Sequence, residues 1–346
     1  MTSMMYLGTS QGVMTLKSGD GRNWEQTAHG IREWQVTEVA CVPGKPEQVF
    51  AATRGDGVWF SPDAGKTWRK PSYGRRGPGK VRCLAIDAQN PGTIYAGGEP
   101  IDLFVSHDAG RNWEAMDSLH DMPSVALVDY PAPWIEPHLR DIAIDPLDDR
   151  TVTVALQVGY MFRTTDGGAT WKLLDRDVDA DVHTIVVDPR LPSRMFVATG
   201  GHECRGGKVK GRALYRSLDG GASWAPTAME FTQEYSVPLV MHPRDSAVLF
   251  SAVANSNPGD WGRPSGAESA VIRTTDGGNT WHQLVKGLEA ASREFPQAIV
   301  IDEEHPDTLY MAPRSGALYA SFDRGDSWTT LSAKLPEVQD IKLVRA

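Results

Sequence analysis

The 346 residues carry 35 Lys and Arg against 44 Asp and Glu, giving a formal charge of -9 and a pI near 5.5, which argues against a general nucleic-acid binder with its basic footprint. No segment approaches the roughly 18 apolar residues of a membrane helix, and the opening MTSMMYLGTSQG has neither a basic n-region nor a cleavage site. Three scattered cysteines, Cys41, Cys83 and Cys204, make no disulfide framework, so the expectation is a cytoplasmic protein with no membrane and no nucleic-acid partner.

The chain enters at once into a strand, Met4 to Thr9, and then alternates short β-rich runs with turn residues throughout. One class of run, the A strands, recurs as Val36 to Val42, Val81 to Asp87, Leu139 to Asp145, Val182 to Asp188, Ser236 to His242 and Pro296 to Asp302, with a last one, Val338 to Arg345, at the very end. B strands follow at Gln48 to Thr53, Thr93 to Gly97, Thr151 to Gln157, Arg194 to Thr199, Val248 to Ala254 and Thr308 to Ala312. C strands read VWFS, LFVS, MFRT, LYRS, VIRT and LYAS. Helical periodicity is almost absent; Val285 to Arg293 supports one or two turns at most.

Each C strand runs into the same eight-residue phrase. It stands as Ser61 to Trp68, Ser106 to Trp113, Thr164 to Trp171, Ser217 to Trp224, Thr274 to Trp281 and Ser321 to Trp328. A worn copy, Lys17 to Trp24, keeps the Gly and Trp but has Lys17 and Gly19 where the others have Ser/Thr and Asp. The phrase suits a tight hairpin turn: Asp accepts backbone N–H groups, Gly supplies a positive φ, and Trp begins the returning strand as an apolar peg. The seven Trp residues are 44, 45, 58, 53, 57 and 47 residues apart, the size of one four-stranded propeller blade. The expected fold is therefore all-β, a seven-bladed β-propeller of four-stranded antiparallel blades. It is expected as one domain over residues 1–346, with blade 1 built from residues 4–28 plus 338–345 so that the C-terminal strand closes the ring.

Seven copies of this phrase in register resemble the Asp-box, or BNR repeat, of β-propellers that include sialidases, xyloglucanase-type glycoside hydrolases, sortilin-type receptors and the photosystem II assembly factor. The resemblance implies that the phrase is scaffold, remote from the working face. It does not extend to a sialidase mechanism, because the Arg-Ile-Pro signature is missing and no Tyr–Glu nucleophile pair can be assigned.

All the phrases are C–D turns and occupy one end of the blades, so the long insertions Met116 to His138, Gly200 to Arg212 and Asn255 to Ser269 fall at the other end, the expected working face. Counting five residues back from the end of each A strand gives Thr37, Arg82, Arg140, His183, Val237, Gln297 and Asp340 near the channel. B–C turns add Arg54, Glu99, Gln157, His202, Glu203, Asn255 and Arg314. Arg82, Arg140, Arg54 and Arg314 can present guanidinium forks to a carboxylate or sulfate; the alternative is a ring of ion pairs with Glu38, Glu99, Asp141 and Asp340. His138, His183 and His202 with Glu99 suit proton transfer or a divalent metal, although no ligand spacing marks a metal site. The acidic stretch Asp175 to Asp181 lacks the Gly and Glu of an EF-hand and reads as a solvated connection. Two basic clusters, Arg69 to Arg82 and Arg205 to Arg216, are expected on the working face. Trp134 and Trp261 read as an aromatic lip, or else as plugs that tie their loops down.

The sequence thus points to a propeller that binds, and by its resemblance could hydrolyse, a small polar or anionic, carbohydrate-like ligand. His183, Glu99 and His138 are the catalytic candidates, and Arg82, Arg140, Arg54, Arg314, Trp134, Trp261 and His202 the ligand-binding ones. An enzyme would be glycoside-hydrolase-like or a metal-assisted hydrolase or lyase. The alternative is a non-catalytic scaffold for a protein partner. No cofactor is named by any motif.

Overall fold

Strand position within a blade is written in the burial of its residues. Second strands such as Met195–Thr199, Leu249–Ala254 and Leu309–Pro313 are buried at every residue, as expected where both faces and both edges are covered. Outer strands such as Glu25–Gly30 and Thr329–Ser332 have no fully buried residue. The computed structural model describes residues 2–71, 77–129, 135–332 and 334–345. The chain forms antiparallel blades in a seven-bladed β-propeller, with the C-terminal strand Val338–Arg345 pairing with Ser3–Thr9 to complete blade 1.

By contact density the chain divides into two compact units, residues 1–173 with 339–346, and residues 174–338. Blades 1 to 4 belong to the first unit and blades 5 to 7 to the second. Within each unit the cores lie between successive blades. Phe50 and Val58 of blade 2 pack with Leu84, Ile94 and Trp113 of blade 3. In the second unit Phe196 of blade 5 packs with Trp281 of blade 6, and Phe250 of blade 6 with Trp328 of blade 7. The Trp of a repeated phrase is therefore a peg driven against the preceding blade.

The phrase itself is a fixed hydrogen-bonded unit. In Thr274 to Trp281, Thr274 Oγ1 donates to Asp276 Oδ1 (2.8 Å) and accepts from Gly278 N (3.0 Å), while Thr280 gives its N–H to Asp276 Oδ1 (2.9 Å) and its hydroxyl to Asp276 Oδ2 (2.6 Å). Two successive residues, Gly277 and Gly278, take φ of 70° and 80°. A Cβ on Gly278 would also stand 2.9 Å from the Phe196 ring of the preceding blade, so glycine is required there twice over. The copy read as worn is instead complete but one residue shorter. Ser18 and Asp20 fill the Ser/Thr and Asp roles, with Gly21 N donating to Ser18 Oγ (2.9 Å) and Asn23 N to Asp20 Oδ1 (2.8 Å).

The first strands carry the second regular device. Their pairing with the second strands slips between Val36 and Glu38, Val81 and Cys83, Leu139 and Asp141, Val182 and Thr184, Ser236 and Leu239, and Pro296 and Ala298. Each slip is a β-bulge, which leaves the extra residue out of the ladder and re-aims its side chain. The bulged residues are Thr37, Arg82, Arg140, His183, Val237 with Pro238, and Gln297. Apart from Pro238, they are the residues picked out by counting back from the strand ends.

Some expectations change. No helix forms over 285–293; the helical segments among the described residues are His202–Arg205 and short 3-10 turns at Asp117–Leu119, Val125–Leu127 and Pro258–Asp260. Ala228–Met229 adds a parallel strand to blade 6 through Thr280–Leu284. The Asp175 to Asp181 connection is not solvated throughout, because Asp179 is fully buried and accepts N–H groups from Asp181, His202, Glu203 and Cys204. Arg216, placed with the working-face cations, reaches Gly277 O (2.9 Å) and Asn279 Oδ1 (2.8 Å) in a neighbouring turn instead.

Candidate functional site

In the first unit, blades 2, 3 and 4 bring four cations to the end opposite the repeated turns. Arg54 follows Lys45–Thr53 and bridges to Lys80, which opens the strand Val81–Ile86; Glu99 follows Ile94–Gly98, and His138 precedes Leu139–Asp145. Glu99 is buried and lies within ion-pair reach of Arg82 (3.3 Å), Arg54 (3.8 Å) and Lys80 (3.9 Å). Lys80 also binds the exposed Glu136 carboxylate at 2.8 Å.

Arg82 is the pivot. Its bulge turns the guanidinium toward the next blade, where Nη2 donates to His138 Nε2 at 2.8 Å. That bond fixes the imidazole as the Nδ1–H tautomer, which donates to Glu136 O at 2.9 Å. Burial, then the charges of Arg82 and Arg140, hold the His138 imidazole down at about 2, so it stays neutral. Burial and Arg140 together bring Arg82 down to about 10, still a cation. Arg140, on its own bulge, has a buried Nε with no hydrogen-bond partner among the described residues. Gln157 donates its backbone N–H to His138 O at 3.0 Å, and its side-chain Oε1 is likewise buried without a partner.

Nearby, two carboxylates tie the first strands to one another. Glu38 Oε2 accepts from Leu84 N (2.8 Å), and Asp340 Oδ2 from Val39 N (3.0 Å). Burial and the Asp340 charge push Glu38 well above the usual carboxylate range, while the Lys342 ammonium is favoured by Asp340 and Glu38 despite its burial. These groups hold the frame.

In the second unit, His183 was expected on an open rim but is buried at 4 % exposure. Nδ1 lies 2.6 Å from Ser236 O, Nε2 lies 3.3 Å from Asp181 Oδ1, and the ring edge packs on Tyr235. Trp261 forms no open lip. It packs on Tyr235 and Phe295, donates Nε1 to Asn255 O (3.0 Å) and has Arg314 over its ring, so it plugs its loop. Arg314 also donates to Gln297 Oε1 at 3.0 Å and approaches Glu337 at 3.9 Å. His202 is placed through its backbone N–H on Asp179. Trp134 lies outside the described residues. Among the described residues no group of three or more His, Cys, Asp or Glu side chains is arranged to hold a metal ion.

Sequence reasoning therefore reached Arg54, Arg82, Arg140, Glu99 and His138 in one neighbourhood. It counted Lys80 only as part of a charge run, Gln157 only as a turn residue, and missed Glu136. The signal for Glu136 is local: in Glu-Pro-His it stands two residues before the histidine whose Nδ1 its carbonyl receives.

No family model matches the chain. An oligoxyloglucan-reducing end-specific xyloglucanase from Emericella nidulans is 32% identical over 83 residues, which is 22% of this chain and 10% of that enzyme. A xyloglucanase from a Paenibacillus species is 24% identical over 207 residues, 50% of this chain and 19% of the enzyme. The matched stretches thus span less than a fifth of these relatives. The fold likeness includes propellers of two kinds. An ancestral GH74 enzyme superposes with a TM-score of 0.64 at 17% identity, over 90% of this chain and 38% of that one. YCF48 bound to a D1 peptide superposes with a TM-score of 0.56 at 17% identity, over 85% of this chain and 81% of that one. Identities this low speak for shared fold alone.

Proposed function

We propose that this chain is a binding propeller whose working site is the cationic rim of blades 2 to 4, and that the site takes a small ligand bearing a carboxylate. The observation that carries the reading is the pairing of Arg82 with both Glu99 and His138, which fixes one guanidinium while Arg140 beside it keeps a buried donor unused. Three cations, Arg54, Lys80 and Arg82, share the Glu99 carboxylate, only Lys80 reaches Glu136 as well, and Arg140 adds a further charge that acts on Arg82 and His138, so positive charge is gathered at this rim in a protein of net charge -9. Such a surplus steers and seats anions.

The same geometry supports binding over hydrolysis. His138 gives its lone pair to Arg82 and at about 2 takes up no proton near neutral pH, so its role is to position Arg82 rather than to act as a base. Glu99 is engaged as the shared counter-ion of three cations, whereas glycoside hydrolysis asks for a carboxyl pair free to exchange a proton or attack. His183, the other catalytic candidate, is read as a structural pair with Asp181. The seven repeated turns are read as Asp-boxes serving as scaffold.

A second reading, a scaffold for a protein partner, is favoured by the nearly whole-length correspondence with YCF48, whose known ligand in that structure is a peptide. Acidic side chains or a chain terminus would bring carboxylates to the same rim. Isothermal titration calorimetry with small carboxylates, neutral analogues and acidic peptides at low ionic strength separates these readings. Carboxylate binding that weakens with salt and falls about tenfold or more in Arg82→Gln is expected. Absence of any carboxylate binding at millimolar concentration would sink the anion site.

A further inference from the structure

Resting on that anion-site reading, we infer that the rim selects a hydroxylated carboxylate, such as a uronic acid or another polyol acid, over a bare anion. Three residues tied to the Arg82–His138 pair, Glu99 by its ion pair, Arg140 by its charge and Gln157 by its backbone, each carry a buried polar atom without a hydrogen-bond partner among the described residues, and the three atoms are not all of one kind. Arg140 Nε is a donor; Glu99 Oε2 and Gln157 Oε1 are acceptors. Glu99 Oε2 has ion-pair neighbours at 3.3 and 3.8 Å, yet none is aligned as a hydrogen bond. Buried polar groups are mostly satisfied in folded proteins; single atoms such as Thr199 Oγ1 and Trp281 Nε1 also stand without a partner among the described residues elsewhere in the chain, and what sets this group apart is a donor and two acceptors on residues linked to one another and to Arg54, Lys80 and Arg82.

The cluster is contiguous. Leu156 pairs with Leu139 across the strands of blade 4, and the Gln157 N–H donates to His138 O, so Gln157 stands opposite His138. Residues directly opposite on antiparallel strands project from the same face of the sheet, which puts Gln157 on the face from which His138 reaches Arg82.

A ligand has to answer both kinds of group. Sulfate and acetate carry acceptors only, so they serve Arg140 and the other cations but leave the two acceptors unmet and press like charge toward Glu99. A ligand with an ammonium group has donors but meets four cations. A hydroxyl group beside a carboxylate satisfies the set, since the carboxylate takes the cations and hydroxyls donate to Glu99 and Gln157. A hydroxyl also accepts, so it serves whichever end of the Gln157 carboxamide faces it.

Calorimetry on the intact protein with D-glucuronate, acetate, sulfate and D-glucose tests this. Expected is glucuronate binding about tenfold or more tighter than acetate or sulfate, because a site built to bond a hydroxyl penalises an analogue lacking it, with glucose weaker than all three. In Gln157→Met, glucuronate should fall to the level of acetate while acetate binding stays. Equal wild-type affinities for glucuronate, acetate and sulfate would overturn the hydroxyl selection and leave the anion site standing. No binding of any anion would overturn both. A glucuronate preference unchanged by Gln157→Met would overturn the role given to Gln157, and the wild-type series decides the selection itself without any variant.

Discussion

At one end of the blades Asp276 receives Thr280 through both its N–H and its hydroxyl, and Thr274 through its hydroxyl; at the other end Arg140 Nε and Gln157 Oε1 are buried without a hydrogen-bond partner among the described residues. The same strands lead to both ends. The turn end ties its Asp carboxylate, its Ser or Thr hydroxyl and its backbone N–H groups into one unit and repeats the solution from blade to blade, leaving indole groups such as Trp281 Nε1 without a partner among the described residues. Asp108, Asp219 and Asp276 are each drawn down to about 2, with hydrogen bonds from their own turn doing the lowering. The rim end withholds that completion in blades 3 and 4. Polar groups kept short of partners on a rigid frame are where a ligand can add what the fold leaves out.

The largest effect is expected from removing the frame that both ends share. Deleting Val338–Arg345 strips the edge partner from Ser3–Thr9, a strand buried at all seven residues, and takes away Asp340, which holds Val39 N. Loss of the cooperative thermal transition is expected by circular dichroism, and a cooperative melt within a few degrees of the intact chain would refute it. Next comes the peg of the turn end. Trp281 is 1 % exposed and Trp24, in the shorter copy, is only half-buried, so Trp281→Ala should cost about 3–5 kcal/mol and Trp24→Ala about 1 kcal/mol. Equal costs in denaturant melts would mean that the missing residue in the first turn does not loosen its Trp.

Acid separates the ends by pH. His138 holds its pKa at about 2 in the folded chain against an ordinary 6.5, so below 6.5 the unfolded chain binds a proton that the folded chain refuses, and stability falls as pH drops from 6.5. The turn carboxylates run from an ordinary 3.8 down to about 2, so their contribution is full above 3.8 and is lost only below it. His138→Gln keeps an acceptor for Arg82 and a donor for Glu136 O but does not titrate. Relative to it, the wild type should lose up to about 1.4 kcal/mol per pH unit between pH 6.5 and 4. Parallel stability profiles of the two proteins over that window would show that His138 is not held neutral.

Much of this was legible beforehand, and for a physical reason. A turn that must satisfy its own polar groups needs Ser or Thr, Asp, Gly and Trp at set spacings, so Thr274 to Trp281 announces blade period and strand order together. The bulged residues Arg82 and Arg140 were reachable because each blade repeats the distance from bulge to strand end. What was lost depends on pairing between distant segments. Burial of His183 needs Ser236 and Asp181, the plug made by Trp261 needs Tyr235 and Phe295, and Asp179 escapes solvent only because the residues 202–204 turn back onto it. The one-residue deletion in the first turn was misread because pattern matching tolerates substitution better than a missing residue: Ser18 and Asp20 do the work one position nearer the Trp.

The smallest stability effect makes the sharpest test of the comparison. Arg140→Met removes a buried Nε that has no partner among the described residues and relieves the charge that depresses both Arg82 and His138, so its stability should stay within about 0.5 kcal/mol of the wild type or rise. Asp276→Ala, by contrast, strands Thr280 N and two hydroxyls and should cost about 1–2 kcal/mol although its site is mostly exposed. A polar deletion that destabilises at the turn and leaves the rim unharmed, while carboxylate binding drops about tenfold in the rim variant alone, is the outcome expected of a group held for a ligand. If Arg140→Met costs as much as Asp276→Ala and anion binding survives, Arg140 belongs to the scaffold, and the two ends differ only in their residues.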